Sequence, residues 1–190
     1  MNVWLGVAAV VVGYVLGANS PAVWLARRLG IDLRSVGSGN PGATNVARAV
    51  SPRAAVVVAL LDVVKGLAPA AGFGLADHEG GLLAGAAAVI GHVTSPYLRG
   101  RGGKGVATTF GAVLGSHPAW ALLVLLGWVA VVGVTRWSAL GSAVAALVLL
   151  GEGLAWSQGW PNIAWAIVLS VIVLARHWPN LRRWLRTRER

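Results

Sequence analysis

The sequence predicts an all-α integral membrane protein with about seven transmembrane helices, and three observations carry that prediction. Of the 190 residues, 56% are hydrophobic and only 12% are charged, with a mean hydropathy of +0.70. A soluble domain carries roughly 25% charged residues, so most of this chain is solvated by lipid. Apolar runs approaching the ~20 helical residues that a hydrocarbon core requires recur along the whole length. Basic residues crowd alternate connections between those runs, as the positive-inside rule requires.

The first run, Val3–Ala26, has no preceding basic segment and no small-residue cleavage site, and reads as a retained span and not a signal peptide. Ala54–Ala76, Gly81–Leu98, Ala119–Val134, Ala139–Trp156 and Ile163–Ala175 follow as further spans. A shorter stretch, Val106–Gly115, is decided by charge. Arg27, Arg28, Arg34, Arg48 and Arg53 fill the first connection, and Arg99, Arg101 and Lys104 the third. The tail carries Arg176, Arg182, Arg183, Arg186, Arg188 and Arg190, whereas the connections around Asp77–Glu79 and Ser157–Pro161 hold no lysine or arginine. Placing all three basic segments in the cytoplasm requires four crossings after the third connection, so Val106–Gly115 counts as a helix. The expectation is a single polytopic domain over residues 1–190, N-terminus outside and C-terminus cytoplasmic.

Glycine pairs support close helix packing: Gly13/Gly17, Gly81/Gly85 and Gly111/Gly115 are small-xxx-small spacings. Many of the ten tryptophans, Trp4, Trp137, Trp156, Trp160 and Trp178 among them, fall near span ends, as interfacial anchors do. The net charge of +10 would suggest nucleic acid in a soluble protein. Here it orients the chain and meets anionic headgroups, so membrane lipids and no nucleic acid are the expected partners. With no cysteine, thiolate metal sites and a cysteine acyl-enzyme are excluded.

The chemistry-bearing residues gather in two glycine loops. GSGNPGATN, Gly37–Asn45, has the G-x-G-x-x-G spacing at Gly37, Gly39 and Gly42, but a basic loop precedes it and a membrane span follows, so the dinucleotide reading fails on context. The underlying physics remains: glycines let backbone N–H groups converge on an anion, and a helix N-terminus adds its dipole. Ser38, Asn40, Thr44 and Asn45 add donors, and Arg48 lies about one helical turn beyond Thr44. The second loop, RGRGGKGVATT, surrounds Lys104 with Gly102, Gly103 and Gly105 but lacks the full nucleotide-loop spacing, and reads as a second anion site. A third polar cluster, Arg176-His177-Trp178-Pro179-Asn180, leaves the last span. Asp62 and Lys65, three residues apart within the second span, share a helix face and read equally as an ion pair or as functional groups. His92 ends the third span, close in sequence to the lysine loop. No histidine or carboxylate pair has metal-ligand spacing and no serine sits in a nucleophile elbow, so no metal or cofactor is expected. The chemistry indicated is transfer between phosphate-bearing substrates.

These motifs resemble the bacterial membrane glycerol-3-phosphate acyltransferases that use acyl phosphate, the PlsY family, over essentially the whole chain. The resemblance is carried by IDLRSVGSGNPGATNVAR (Ile31–Arg48), LLDVVKG (Leu60–Gly66), Gly91-His92 followed by GGKGVAT (Gly102–Thr108), Thr135-Arg136-Trp137, and His177-x-x-Asn180-Leu181-x-Arg183. It implies transfer of a fatty acyl group from acyl phosphate to the 1-hydroxyl of sn-glycerol 3-phosphate, giving lysophosphatidic acid and phosphate without coenzyme A. It implies a multi-pass protein of the bacterial plasma membrane with a cytoplasmic active face, linked functionally to an acyl-phosphate-forming enzyme. The resemblance assigns the acyl phosphate to the loop containing Gly37, Gly39, Asn40, Gly42, Ala43, Thr44 and Asn45, with Ser38 and Arg48 among its contacts. Lys104, flanked by Gly102, Gly103 and Gly105, takes glycerol 3-phosphate together with His177 and Asn180. Ser38, Arg48, Lys104 and His177 are the catalytic candidates, with the donor's phosphate or His177 taking the proton, and Asp62, Lys65 and His92 are structural or site-supporting.

The chain also departs from the family pattern. His92 is followed by Val93-Thr94-Ser95-Pro96 where H-x-F-P is usual, and Gly100-Arg101 replaces phenylalanine-lysine. Ala139 stands where a serine is common, leaving Ser138 or Ser142 to supply a hydrogen bond, and Ser142 joins the candidate substrate contacts. A paralogue that kept the anion loops and lost the reaction is the alternative these departures allow. A small transporter would distribute polar residues through several spans, but apart from Asp62, Lys65 and Glu152 the spans are nearly free of charge. A scaffold that binds anionic lipid explains the arginines and leaves both glycine loops unexplained.

Overall fold

The computed structural model describes residues 1–156 and 159–188, with side chains described as far as Arg182. Ser157, Gln158 and Arg190, and the side chains of Arg183, Arg186 and Arg188, lie outside the described residues. The secondary structure there is entirely helical: α1 (Val3–Ala18), α2 (Pro21–Arg28), α3 (Ala43–Ala49), α4 (Pro52–Gly74), α5 (His78–Thr94), α6 (Val106–Ser116), α7 (Pro118–Thr135), α8 (Ser138–Trp156) and α9 (Trp160–Arg188). Six segments are long and apolar enough to cross a membrane: Val3–Arg28, Pro52–Gly74, His78–Leu98, Pro118–Thr135, Ser138–Trp156 and Trp160–Arg182. The helix over Val106–Ser116 is apolar but shorter, with 11 residues. The helices form two compact units, Met1–Ser116 and His117–Arg190.

Local chemistry sets the starts of the helices. Asn2, Ser20, Ser51 and Asp77 each accept a backbone N–H from the first turn of the helix that follows, at 2.9, 3.4, 3.1 and 3.0 Å. Each such cap contributes about 1 kcal/mol. Ser20 capping Pro21 also breaks the run expected to be continuous over Val3–Ala26. Proline has no N–H to continue the first helix, and the interruption exposes carbonyls that must find donors in a dry interior. They do: Ser95 Oγ donates to the Ala18 carbonyl at 2.5 Å and Lys65 Nζ to the Asn19 carbonyl at 2.7 Å.

Glycine-mediated backbone approach holds the first unit together. A Cβ on Gly13 would lie 2.2 Å from the Ala84 carbonyl oxygen and one on Gly17 1.9 Å from that of Ala88, so α1 and α5 run parallel in near-direct backbone contact. A Cβ on Gly111 would lie 2.0 Å from the Val63 oxygen and one on Gly115 2.9 Å from that of Leu67, which makes α6 parallel to α4. Gly81 lies against the backbone of Ala70 and Gly74 in α4, and Gly85 against the side chains of Ala112 and Ala70. All three small-xxx-small pairs therefore lie at helix contacts. Gly66 against Thr108 and Gly91 against Tyr14 do the same without belonging to a recognised pair.

The second unit is a three-helix arrangement. Trp128 Nε1 donates to Ser142 Oγ between α7 and α8, and Ser170 Oγ donates to the Ala146 carbonyl at 2.8 Å between α9 and α8. The final helix runs well beyond Ala175 and through Pro179, so His177 and Asn180 sit on a helix, three residues apart and on one face.

Candidate active site

The loop from Leu33 to Asn45 is organised by one buried amide. Asn45, 1% exposed, donates through Nδ2 to the Leu33 carbonyl at 2.9 Å and accepts the Ser38 N–H on Oδ1 at 3.1 Å. Gly37 sits between them with φ +57°, and a Cβ there would stand 2.4 Å from Asn45 Oδ1. The same position is 3.5 Å from Arg48 Cδ, so the Arg48 stem runs alongside Gly37. Ser38 and Arg48 are both exposed and are brought to the same part of the loop.

The backbone donors expected to converge on an anion are largely engaged inside the loop. The Gly39 N–H goes to the Val36 carbonyl, Asn40 to Ser38 Oγ, Gly42 to the Asn40 carbonyl, and Asn45 to the Gly42 carbonyl. Such turns satisfy the backbone locally, which is why small polar residues favour them. The side chains of Ser38, Thr44 and Arg48 are exposed polar groups of this stretch. Gly42 caps α3 without a side-chain bond.

The lysine loop follows the same logic. After a 3₁₀ turn over Pro96–Leu98, the chain reverses through Arg99 and Gly100. The Gly102 N–H then donates to the Val93 carbonyl at 3.1 Å and the Gly103 N–H to the His92 carbonyl at 3.2 Å. These bonds satisfy carbonyls that the end of α5 leaves without helical partners. Lys104 is half-buried directly beyond them, and Gly105, with φ +84°, turns the chain into α6.

Arg34 ties the two loops together. Its Nη1 donates to the Gly39 carbonyl at 3.3 Å, and its Nη2 donates to the Arg101 carbonyl. The loop carrying Ser38 and Arg48 is thereby held against the loop carrying Lys104. In the sequence Arg34 reads only as one charge of a basic connection; the signal for this tie is an arginine inside the motif that no substrate role requires.

Asp62 and Lys65 form a buried pair at 2.8 Å, and His92 Nδ1 lies 3.6 Å from Asp62 Oδ1 and 3.3 Å from Thr108 Oγ1. In the second unit, His177 is buried and its Nδ1 donates to the Val173 carbonyl at 2.8 Å. Asn180 is half-buried on the same helix face. Ser142 is buried, donating to the Ser138 carbonyl at 2.8 Å and accepting from Trp128 at 3.4 Å, so its hydroxyl serves helix packing.

A family profile described as glycerol-3-phosphate acyltransferase matches residues 7–187. The chain belongs to that family. A glycerol-3-phosphate acyltransferase of Pseudomonas paraeruginosa is 42% identical over 192 residues, covering 99% of this chain and 98% of that one. Its counterpart in Sinorhizobium medicae is 39% identical over 177 residues, covering 93% of this chain and 87% of that one. Among solved structures, PlsY (YgiH), an integral membrane glycerol 3-phosphate acyltransferase, superposes in its glycerol 3-phosphate form with a TM-score of 0.91 at 34% identity. That match covers 96% of this chain and 93% of the other. The lysophosphatidic acid form of the same protein matches with a TM-score of 0.88 at 33% identity. The family membership inferred from the motifs is borne out, as is the all-helical membrane fold.

Proposed function

We propose that this chain transfers a fatty acyl group from acyl phosphate to the 1-hydroxyl of sn-glycerol 3-phosphate, releasing lysophosphatidic acid and phosphate. The observation that carries the site assignment is the Arg34 tie, which brings two cation-bearing loops together in a chain of this family. Two phosphate-bearing substrates need two anion sites, and the adjacent loops offer Arg48 with Ser38 for one and Lys104 for the other. His177 and Asn180 are assigned to glycerol 3-phosphate on the family resemblance. Asn45, Gly102 and Gly103 shape the loops and carry the contacting groups.

The chemistry needs no enzyme nucleophile. Acyl phosphate is a mixed anhydride, so the glycerol hydroxyl oxygen attacks the acyl carbon, the bond from that carbon to the phosphate oxygen breaks, and phosphate leaves with the electron pair. The hydroxyl proton passes to the departing phosphate, which carries oxygens able to accept it. Arg48 and Lys104 hold the two dianions in reach of each other and offset the charge that grows on the leaving phosphate.

The topology proposed is seven crossings, N-terminus outside and C-terminus cytoplasmic, in a bacterial plasma membrane, with both loops on the cytoplasmic side. The parallel run of α6 with α4 supports counting the short helix as a crossing, because alternate spans share a direction. Eleven residues span about 16 Å, so α6 needs the cover of α4 and α5 to lie within a ~30 Å core. The donor implies a functional link to an enzyme that makes acyl phosphate.

The site assignment is tested by turnover of Arg48→Ala and Lys104→Ala. Each is expected to lose about 100-fold or more, the scale set by removing one charge-stabilising donor. Wild-type rates in either variant remove that residue from the site.

A further inference from the structure

Beneath the lysine loop runs a chain of buried polar groups that the reaction itself does not use. Lys65 Nζ reaches the Asn19 carbonyl at 2.7 Å and Asp62 Oδ1 at 2.8 Å. Asp62 Oδ1 lies 3.6 Å from His92 Nδ1, and that nitrogen is 3.3 Å from Thr108 Oγ1. None of Asp62, Lys65, His92 and Thr108 is more than 8% exposed. Ionisable groups are kept inside a membrane protein when they are paired and perform a task. The contacts run from the break in the first span through α4 and α5 to α6, and they end at the loop. A Cβ on Gly103 would stand 2.2 Å from His92 Nε2, and one on Gly102 would stand 1.9 Å from the His92 carbonyl oxygen. The carbonyls of His92 and Val93 accept the N–H groups of those two glycines. The loop therefore rests on the ring and backbone of His92 with no side chain between, and Lys104 is the next residue.

We propose that the buried Asp62–His92 pair positions the Gly102–Gly103 backbone and through it the Lys104 ammonium. The proposal rests on the reading of Lys104 as a ligand of glycerol 3-phosphate. The Nδ1 edge of the ring faces Asp62 of α4 at 3.6 Å and Thr108 of α6 at 3.3 Å, and Lys65 pairs with Asp62. The height of the opposite edge, on which Gly103 sits, is thereby fixed by three helices. Glycine at 102 and 103 is required by this contact with His92, and the anion-binding function rests on the side chain that follows. His92 and Asp62 are positioning residues, acting on substrate only through Lys104.

The test is a double-mutant cycle on glycerol 3-phosphate binding, read by titration calorimetry of the full-length protein in detergent micelles. Turnover is not needed, so variants that lose activity remain measurable. His92→Asn is expected to weaken binding about tenfold, a fraction of the ~100-fold that a 1 Å misplacement costs a reaction. Lys104→Ala is expected to weaken it further, and the double variant to bind no worse than Lys104→Ala alone, because the histidine acts through the lysine. Gly103→Ala presses on the Nε2 edge without deleting a polar group; it is expected to weaken binding likewise and serves in place of His92→Asn if that protein does not fold. Independent, additive losses with Lys104→Ala itself impaired overturn the proposal alone, as does unchanged binding in Gly103→Ala. Undiminished binding in Lys104→Ala overturns the reading of Lys104 and the proposal with it.

Discussion

Asn45 Oδ1 accepts the backbone N–H of Ser38 at 3.1 Å, and this bond holds the exposed serine at the mouth of the first glycine loop. The amide is buried and its other end holds the Leu33 carbonyl. Asn45→Ala leaves both backbone groups without that partner, at about 1–3 kcal/mol for each group that stays dry. The expected outcome is a lower melting temperature and a KM for acyl phosphate raised more than that for glycerol 3-phosphate. Steady-state kinetics with each substrate varied in turn measure the split.

Arg34 predicts a different pattern. It is exposed and bonds two carbonyls across the loops, so Arg34→Ala should change the melting temperature little. The expected loss is about tenfold in kcat/KM for both substrates, near the lower end of the ~1.5–3 kcal/mol that a hydrogen bond from a charged group contributes. Arg34→Lys, which presents a point charge in place of a fork, should restore only part of it.

Lys65→Met removes the partner of Asp62 and the donor to the Asn19 carbonyl at once. Breaking one side of a buried pair costs about 3–5 kcal/mol, which lowers the melting temperature on the order of 10 °C. Replacing both members, Asp62→Leu with Lys65→Met, should recover part of that stability without recovering binding of glycerol 3-phosphate. Thermal unfolding in micelles, run beside calorimetry, checks both halves.

Two glycines give opposite stability outcomes. Gly17→Leu forces a side chain into the space of the Ala88 carbonyl and should part α1 from α5, with a large drop in melting temperature. Gly72 has nothing within 4 Å of a Cβ, so Gly72→Ala in α4 should be neutral or stabilising by about 1 kcal/mol.

The sequence showed the spans, the packing glycines and the loop motifs, because lipid imposes long apolar runs and close approach demands glycine at helix contacts. It did not show the break at Ser20–Pro21, since the interruption is stabilised by Lys65 and Ser95, 45 and 75 residues away from Ser20. Nor did it show which loop donors are engaged. G-x-G spacing looks the same whether its N–H groups face an anion or, as at Gly102 and Gly103, the end of the preceding helix. Asn45 is likewise indistinguishable in sequence from a substrate donor until its two partners are placed. Only spacing is visible along a chain; the direction of a hydrogen bond belongs to the folded loop.

The most direct test is lysophosphatidic acid formation by the purified protein from glycerol 3-phosphate, with palmitoyl phosphate and palmitoyl-CoA offered in parallel. Product from palmitoyl phosphate alone is the expected result. Product from palmitoyl-CoA would contradict the donor assignment. No product from either, with protein that melts cooperatively and binds glycerol 3-phosphate, would contradict the reaction itself and leave a chain that keeps the anion loops without the transfer.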